Sequence, residues 1–486
     1  MKKLFCIIMI GLFLVTNVSY SLAVPPDFSG GVNNEYDYEE VVFISGEPVV
    51  VTGSGKNVSI KTTSKTDKIT TVYKVTLEGV DSNGKPVELS RNITYETALY
   101  PHEDKGQTTS QTTVKKFKEQ IEVDKNRYKL EDYQFSKSDI IDNRPASDYH
   151  AGSFKARKTY SINKDEGKVV IDITGNTIGY HNFWGSTEKQ QIEQIIDWSG
   201  PNITNNQGVV DISSVDSQTR SLIYTPHTPN LTSFEHAHTR TTNRDMYSEY
   251  SYNLPLVSGK ALRGNIDLTQ EFLPRIERMV VPKFRDIGGH WAEEDIQKLY
   301  ALDIFEGVPA FFVPDAPMTR IDFIRAVVKG AQIRISEPPK SSRTSRGKNT
   351  ETAIFRDIPV THPDYSFVKE GVNRGITSGV SEDLFMPQSP LTRAQAITIV
   401  IKALGWETRA PSPGFATPFV DDADIPNWAK DSIYVAWNTG LVSGDASNRI
   451  NPNQPISRAE ASALVIKFLY YLEKELQQDH FISNVL

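Results

Sequence analysis

The chain has 486 residues, 38% hydrophobic and 23% charged, with a formal net charge of −7. That length and apolar content suit a soluble protein of about three domains of ~150 residues, each with a real core. A general nucleic-acid binder would show a basic stripe, and the acidic balance argues against one.

At the start, Lys2 and Lys3 precede the apolar run Leu4–Val15, and a small-residue site follows at Ser21-Leu22-Ala23. This is the layout of a secretory signal peptide over 1–23, cleaved after Ala23. The run is too short to span a bilayer, which needs about 20 residues. Cys6, the one cysteine, lies inside it. The mature chain would therefore hold no disulfide, thiol nucleophile or cysteine-ligated metal, which suits a bacterial surface. No later segment is apolar enough to act as a transmembrane anchor.

Residues 24–280 read as one β-rich domain, an antiparallel sandwich or barrel-like sheet. "ITTVYKVTLEGV" (Ile69–Val80) is rich in β-branched residues, and Asn83-Gly84 has the form of a hairpin turn. Lys168–Gly185 and Ser248–Gly259 have the same texture. "GQTTSQTTVKKFKEQIEV" reads as a long exposed strand in preference to a short helix. Gly185–Trp198 reads as the one helix of this region.

After Val281 the apolar spacing becomes helical and a threefold repeat appears. In step, the copies align Phe284, Phe355 and Phe419; Asp286, Asp357 and Asp421; Gly307, Gly379 and Gly444; Pro314, Pro387 and Pro452; and Arg320, Arg393 and Arg458. Each copy reads as helix, glycine-containing loop, then capped helix, over 283–335, 353–405 and 419–472. Two short helices cannot bury an apolar face alone, so three units packed about a shared centre are expected. The stretches 336–352, with four basic side chains, and 406–418 read as exposed linkers, and 473–486 as a tail.

Phe-x-Asp at entry, a tryptophan-bearing helix, a glycine loop, a proline, and a Thr/Ser-Arg-x-Asp/Glu/Gln helix start together resemble S-layer homology domains, the wall-anchoring modules of bacterial surface proteins. The resemblance covers about Lys283–Leu472. It implies an all-α pseudo-threefold triplet of helix-loop-helix repeats whose grooves bind a secondary cell wall polysaccharide with acidic, typically pyruvylated, sugars. It also offers a reason for an arginine in the positive first turn of a helix, where a cation is disfavoured. A capped helix start offers free N–H groups, and a guanidinium fork matches a carboxylate in bidentate fashion. On that reading Arg320, Arg393 and Arg458 grip the acid, Trp291 and Trp428 offer sugar-stacking faces, and Gly307, Gly379 and Gly444 admit the ligand. Asp286, Asp357 and Asp421 complete the set. The alternative is that each arginine pairs with its own repeat's aspartate as an internal clasp, and that the tryptophans are core. The second copy lacks a tryptophan and offers Tyr365 instead, so fewer than three equivalent sites are expected.

The first half shows no catalytic motif. His236 and His238 would share one face of a strand, a weak metal-ligand pair beside the reading of a solvated surface. Glu103, Asp104 and Asp148 are the acidic residues to imagine as a hydrolytic pair. The reading is therefore a secreted, wall-anchored surface protein, non-enzymatic and without cofactor, that displays a β-rich domain. The alternative is a wall-anchored polysaccharide or peptidoglycan hydrolase with its activity in residues 24–280.

Overall fold

The computed structural model describes residues 28–485 apart from 66, 103–105, 165, 201–202, 226–236, 256–260, 280 and 334–351. The signal segment, Glu103, Asp104, His236 and nearly all of the basic linker lie outside the described residues.

Fifteen strands form one antiparallel sheet. They are β1 (Val32–Asn33), β2 (Asp37–Val42), β3 (Val49–Ser54), β4 (Val58–Ser64), β5 (Lys68–Val80), β6 (Pro86–His102), β7 (Gln107–Val123) and β8 (Asn126–Asn143). There follow β9 (Asp148–Ile162), β10 (Gly167–Asn182), β11 (Gly185–Gly200), β12 (Ile203–Thr225), β13 (Ala237–Pro255), β14 (Ala261–Glu271) and β15 (Arg275–Met279). Neighbours in sequence are neighbours in the sheet, except that β3 and β4 both pair with β5, and β15 pairs with β13. The strands form because apolar residues recur with period two: Ile69, Tyr73, Val75 and Leu77 of β5 are buried while Lys74 and Val72 between them are exposed.

A sheet this long and twisted curls on itself. Asn34 donates to Gln270 Oε1 (2.7 Å), the Leu273 N–H to the Glu35 carboxylate (3.0 Å), and Trp198 Nε1 to the Ile44 carbonyl (2.7 Å). The first strands thereby meet the last, and the enclosed core is built on Phe28, Tyr38, Tyr73, Tyr95, Tyr160 and Tyr250. The region is a single barrel-like sheet, not two stacked sheets. The helix expected over Gly185–Trp198 is strand β11. Its glutamates and glutamines favour helix, but Ile192, Ile196 and Trp198 fall at period two in register with both neighbours.

The C-terminal half holds α1 (Glu293–Ala301), α2 (Arg320–Gly330), α3 (Tyr365–Asn373), α4 (Arg393–Leu404), α5 (Asn427–Asn438) and α6 (Arg458–Val485). The all-α pseudo-threefold triplet of helix-loop-helix repeats is not what forms. The helices are unequal, from 9 to 28 residues, and the rest of each unit is turn, 3-10 turn and extended chain. Isolated antiparallel bridges join the units at Pro317 and Ser457, Thr319 and Pro390, and Thr392 and Pro455. Prolines deny these loops a helical hydrogen-bond pattern, so their remaining polar groups pair between units.

The two halves share a core. Ala146 of the β8–β9 turn, Tyr180 near the end of β10, and Phe183 and Trp184 of the β10–β11 turn are buried with Phe323, Val400, Phe468 and Leu472 of the helices. Trp184 Nε1 donates to the Leu469 carbonyl (2.7 Å) and Asn182 to that of Leu472 (2.9 Å). Arg374 donates to both the Arg144 carbonyl and Asp148 (2.7 Å each).

Candidate functional site

The three repeat aspartates do one local job. Asp286 accepts from the N–H groups of Phe312 and Val313 (2.9 and 2.6 Å), Asp357 from Phe385 and Met386 (2.9 and 2.7 Å), and Asp421 from Ile450 and Asn451 (2.9 and 2.7 Å). The second donor of each pair has a positive φ, +56° at Val313, +59° at Met386 and +51° at Asn451. Side-chain-bearing residues resist that conformation, and two charge-assisted bonds per loop hold it. Burial works against ionisation of Asp286, but the Phe312 and Val313 donors and the Arg458 cation hold its carboxyl below the usual range. Each aspartate clasps backbone, so the internal aspartate–arginine pairing is not the arrangement.

The capped starts are joined in a ring. Thr319, Thr392 and Ser457 accept from the N–H groups of Asp322, Gln395 and Glu460 (3.2, 3.3 and 3.1 Å). The first two N–H groups of each second helix go to the next unit's loop. Arg320 and Ile321 donate to the Ser389 and Pro387 carbonyls, Arg393 and Ala394 to Gln454 and Pro452, and Arg458 and Ala459 to Ala316 and Pro314. Unit one thus leans on two, two on three, and three on one. The N–H groups expected to await an anion are therefore occupied. What remains for a ligand at each start is the arginine side chain.

Those side chains differ. Arg320 is 5% exposed and donates to Gln395 Oε1 (2.9 Å), with burial pulling its guanidinium pKa down. The same junction is closed over by Arg325, whose Nε and Nη2 grip both oxygens of Asp364 (2.7 Å each). Arg393 donates to Glu460 Oε1 (2.6 Å) and to the Ile450 carbonyl (2.8 Å). Arg458 lies with its guanidinium 4.4 Å above the Phe312 ring, and among the described residues that guanidinium has no hydrogen-bond acceptor. A stacked, unpaired cation is the arrangement suited to an incoming carboxylate.

Trp291 is 65% exposed and Trp428 57%, so neither is core. Tyr365 is buried and offers no platform in the second unit. The glycines serve their own chain. A Cβ on Gly379 would lie 2.6 Å from the Phe355 ring, and one on Gly444 2.9 Å from the Asn448 backbone, while Gly307 turns the loop at φ +92°, where a Cβ would meet only Pro309 Cδ at 3.9 Å.

In the first half, His238 is buried in β13, and burial lowers its pKa. Its proposed companion His236 lies outside the described residues, as do Glu103 and Asp104. Asp148 is engaged by Arg374. Among the described residues no three acidic, histidine or cysteine side chains group as a metal site. A buried polar layer went unread in the sequence: Lys137 and Asp139 (2.7 Å apart), Asp216 held by Arg244 (2.6 Å), and Glu188 with His150 (3.8 Å). Burial pushes Glu188 up to about 8 and His150 down to about 4. Glu188 and Gln190 fall in the inward register of Ile192, Ile196 and Trp198, which is the signal that would have revealed the layer.

The S-layer homology domain model matches residues 283–324, 354–397 and 418–462. The chain carries three such domains and is a cell-surface protein. It is similar to an endoglucanase of Bacillus sp. (strain KSM-635), 28% identical over 138 residues, 28% of this chain and 14% of that one. It is similar also to a cell surface protein of Thermoanaerobacter kivui, 32% identical over 118 residues, 24% of this chain and 16% of the relative. A cellulosome-anchoring protein of Acetivibrio thermocellus is 26% identical over 152 residues, 31% of each chain. The chain thus spans less than a third of the length of each. No helix of the described residues is long and apolar enough to cross a membrane.

Proposed function

We propose that the protein is held non-covalently to the cell wall by an acidic, pyruvylated wall polysaccharide, and that the junction between the third and first repeats is where the acid binds. The observation that carries this reading is the unpaired Arg458 guanidinium stacked on Phe312, in a ring whose other two arginines already have acceptors. A carboxylate arriving there gains a bidentate charge-assisted contact without breaking one in the protein. The exposed Trp291 ring belongs to the same first repeat and supplies a flat apolar face for a sugar. The barrel-like region is the displayed part, with structural or adhesive work.

The test is sedimentation of the full chain with purified walls. Arg458→Ala should weaken binding at least tenfold and cost about 0.5–2 kcal/mol of stability through the lost stack on Phe312, too little to unfold the domain, so binding is compared well below the unfolding midpoint. Removing pyruvyl groups from the wall should have the same effect on the unmodified chain. Arg320→Ala, by contrast, should lower stability first. Undiminished binding by Arg458→Ala would refute the assignment.

A further inference from the structure

Inside the barrel-like sheet, Thr177 of β10 and Gln190 of β11 stand directly opposite each other in register. They are 3% and 1% exposed and share the inward face with Ile173 and Ile192. Each is held by a carboxyl group. The Thr177 hydroxyl donates to Asp139 Oδ1 (3.2 Å), and Gln190 Nε2 donates to Glu188 Oε1 (3.1 Å). Asp139 is paired with Lys137 (2.7 Å) and also accepts from Ser110 Oγ (3.0 Å). Gln190 Oε1 has no donor among the described residues. A buried carboxamide oxygen without a hydrogen bond is costly to keep.

A hydroxyl with a carboxylate on its proton, set against a carboxamide out of water, has the parts of an acyl transfer. Gln190 faces a second hydroxyl, Ser214 of β12, but that oxygen accepts from Ser248 Oγ (2.9 Å) and has no carboxylate beside it. Thr177 is therefore the activated partner.

We propose that Thr177 and Gln190 condense into an intramolecular ester that cross-links β10 to β11. Thr177 Oγ1 attacks the Gln190 side-chain carbonyl carbon while its proton passes to Asp139. The Oγ1–Cδ bond forms and the Cδ–Nε2 bond breaks. The departing nitrogen takes up that proton and leaves as ammonia, so the step balances without an oxidant or co-reactant. Glu188 is a positioning residue that fixes the amide by its nitrogen. The ester reaches from Cβ to Cβ through Oγ1, Cδ and Cγ, about 5 Å when extended, which matches the 4.5–5.5 Å between Cβ atoms of facing residues. Neither strand has to move.

The bond sits where it can carry load. The β10–β11 hairpin bears Asn182 and Trp184, which donate to the α6 carbonyls, so a pull between the two halves passes through this hairpin. With a single cysteine, the chain can form no disulfide within itself.

The full chain is denatured and digested with trypsin, which cuts after Lys168, Lys189 and Arg220 and so puts Thr177 and Gln190 in separate peptides. The expected main product is those two peptides joined, lighter than their sum by one ammonia. Mild hydroxide should part them and leave a carboxylic acid on residue 190. Thr177→Val should give separate peptides, and Thr177→Ser should restore the joined one, with folding of both checked by circular dichroism. Asp139→Asn should slow joining by about a hundredfold, read as separate peptides in freshly folded protein. Separate peptides from the unmodified chain would overturn the proposal. So would a joined species that persists in Thr177→Val, or one that resists hydroxide as an amide made by Lys137 would. Undiminished joining in Asp139→Asn would overturn the assignment of the base.

Discussion

Replacing Asp421 by asparagine asks whether the repeat aspartates hold loops or hold sugar. The carboxylate is buried and accepts from Ile450 at 2.9 Å and Asn451 at 2.7 Å. Asparagine keeps one acceptor and turns an amide donor against the other N–H. Hydrogen bonds to a charged group contribute about 1.5–3 kcal/mol each, and a buried donor left unsatisfied adds a penalty of about 1–3 kcal/mol. A loss of roughly 2–5 kcal/mol follows, a large fraction of the about 5–15 kcal/mol of a whole domain. Denaturant unfolding followed by tryptophan fluorescence should show the midpoint fall, with Trp428 and Trp437 in the same repeat as reporters. Wall binding measured well below the new midpoint should be nearly normal, because Asp421 faces its own loop. A variant that unfolds like the parent chain yet has lost wall binding would refute this reasoning and return the aspartate to the ligand.

Glu188→Gln tests the buried polar layer. Its folded pKa of about 8 exceeds the ordinary 4.5, so the stability it confers is complete below 4.5 and declines as pH rises towards 8. Glutamine mimics the protonated acid and escapes that decline. Urea midpoints should coincide near pH 4.5 and separate in the variant's favour at pH 8, by at most roughly 5 kcal/mol. A constant offset would count against the buried-acid account. Trp184→Phe deletes the donor to the Leu469 carbonyl while keeping an aromatic ring. Calorimetry should show the barrel and helical transitions separating, and a single unchanged transition would mean that the joint lies elsewhere.

Much of this was readable before any coordinates. The repeat announced itself because five residue types recur in step, and S-layer homology domains are indeed present at those positions. What the aspartates do was not readable, since the donors lie 26 to 30 positions downstream and carry no side-chain signature. The unequal arginines were equally hidden. Gln395 and Glu460 occupy corresponding positions, yet one accepts from a buried arginine and the other from a partly exposed one. Gly185–Trp198 is rich in Glu, Lys and Gln, which favour helix, yet Ile192, Ile196 and Trp198 fall at period two. Tertiary pairing on both sides of β11 outweighed that propensity, as it usually does. The all-α reading failed for a related reason. It followed the apolar helices and ignored proline-rich loops whose N–H and C=O groups had to pair somewhere.

The placement of Arg458 and of the barrel joint on one helix has a mechanical consequence. Arg458 opens α6, while Trp184 and Asn182 dock on the Leu469 and Leu472 carbonyls of that helix. At 1.5 Å per residue these points stand roughly 16–21 Å apart along its axis. The barrel is thus docked near the middle of the helix that Arg458 opens, and it cannot fold over that helix start without breaking both bonds. The shared core around Phe183, Trp184, Phe468 and Leu472 makes the joint stiff where a linker would have made it loose. On the proposed assignment of Arg458 to the wall polymer, anchoring would fix where the barrel stands relative to the wall as well as the fact of attachment. If Arg458 holds the polymer as proposed, Asn182 and Trp184 should matter to display as much as Arg458 matters to binding.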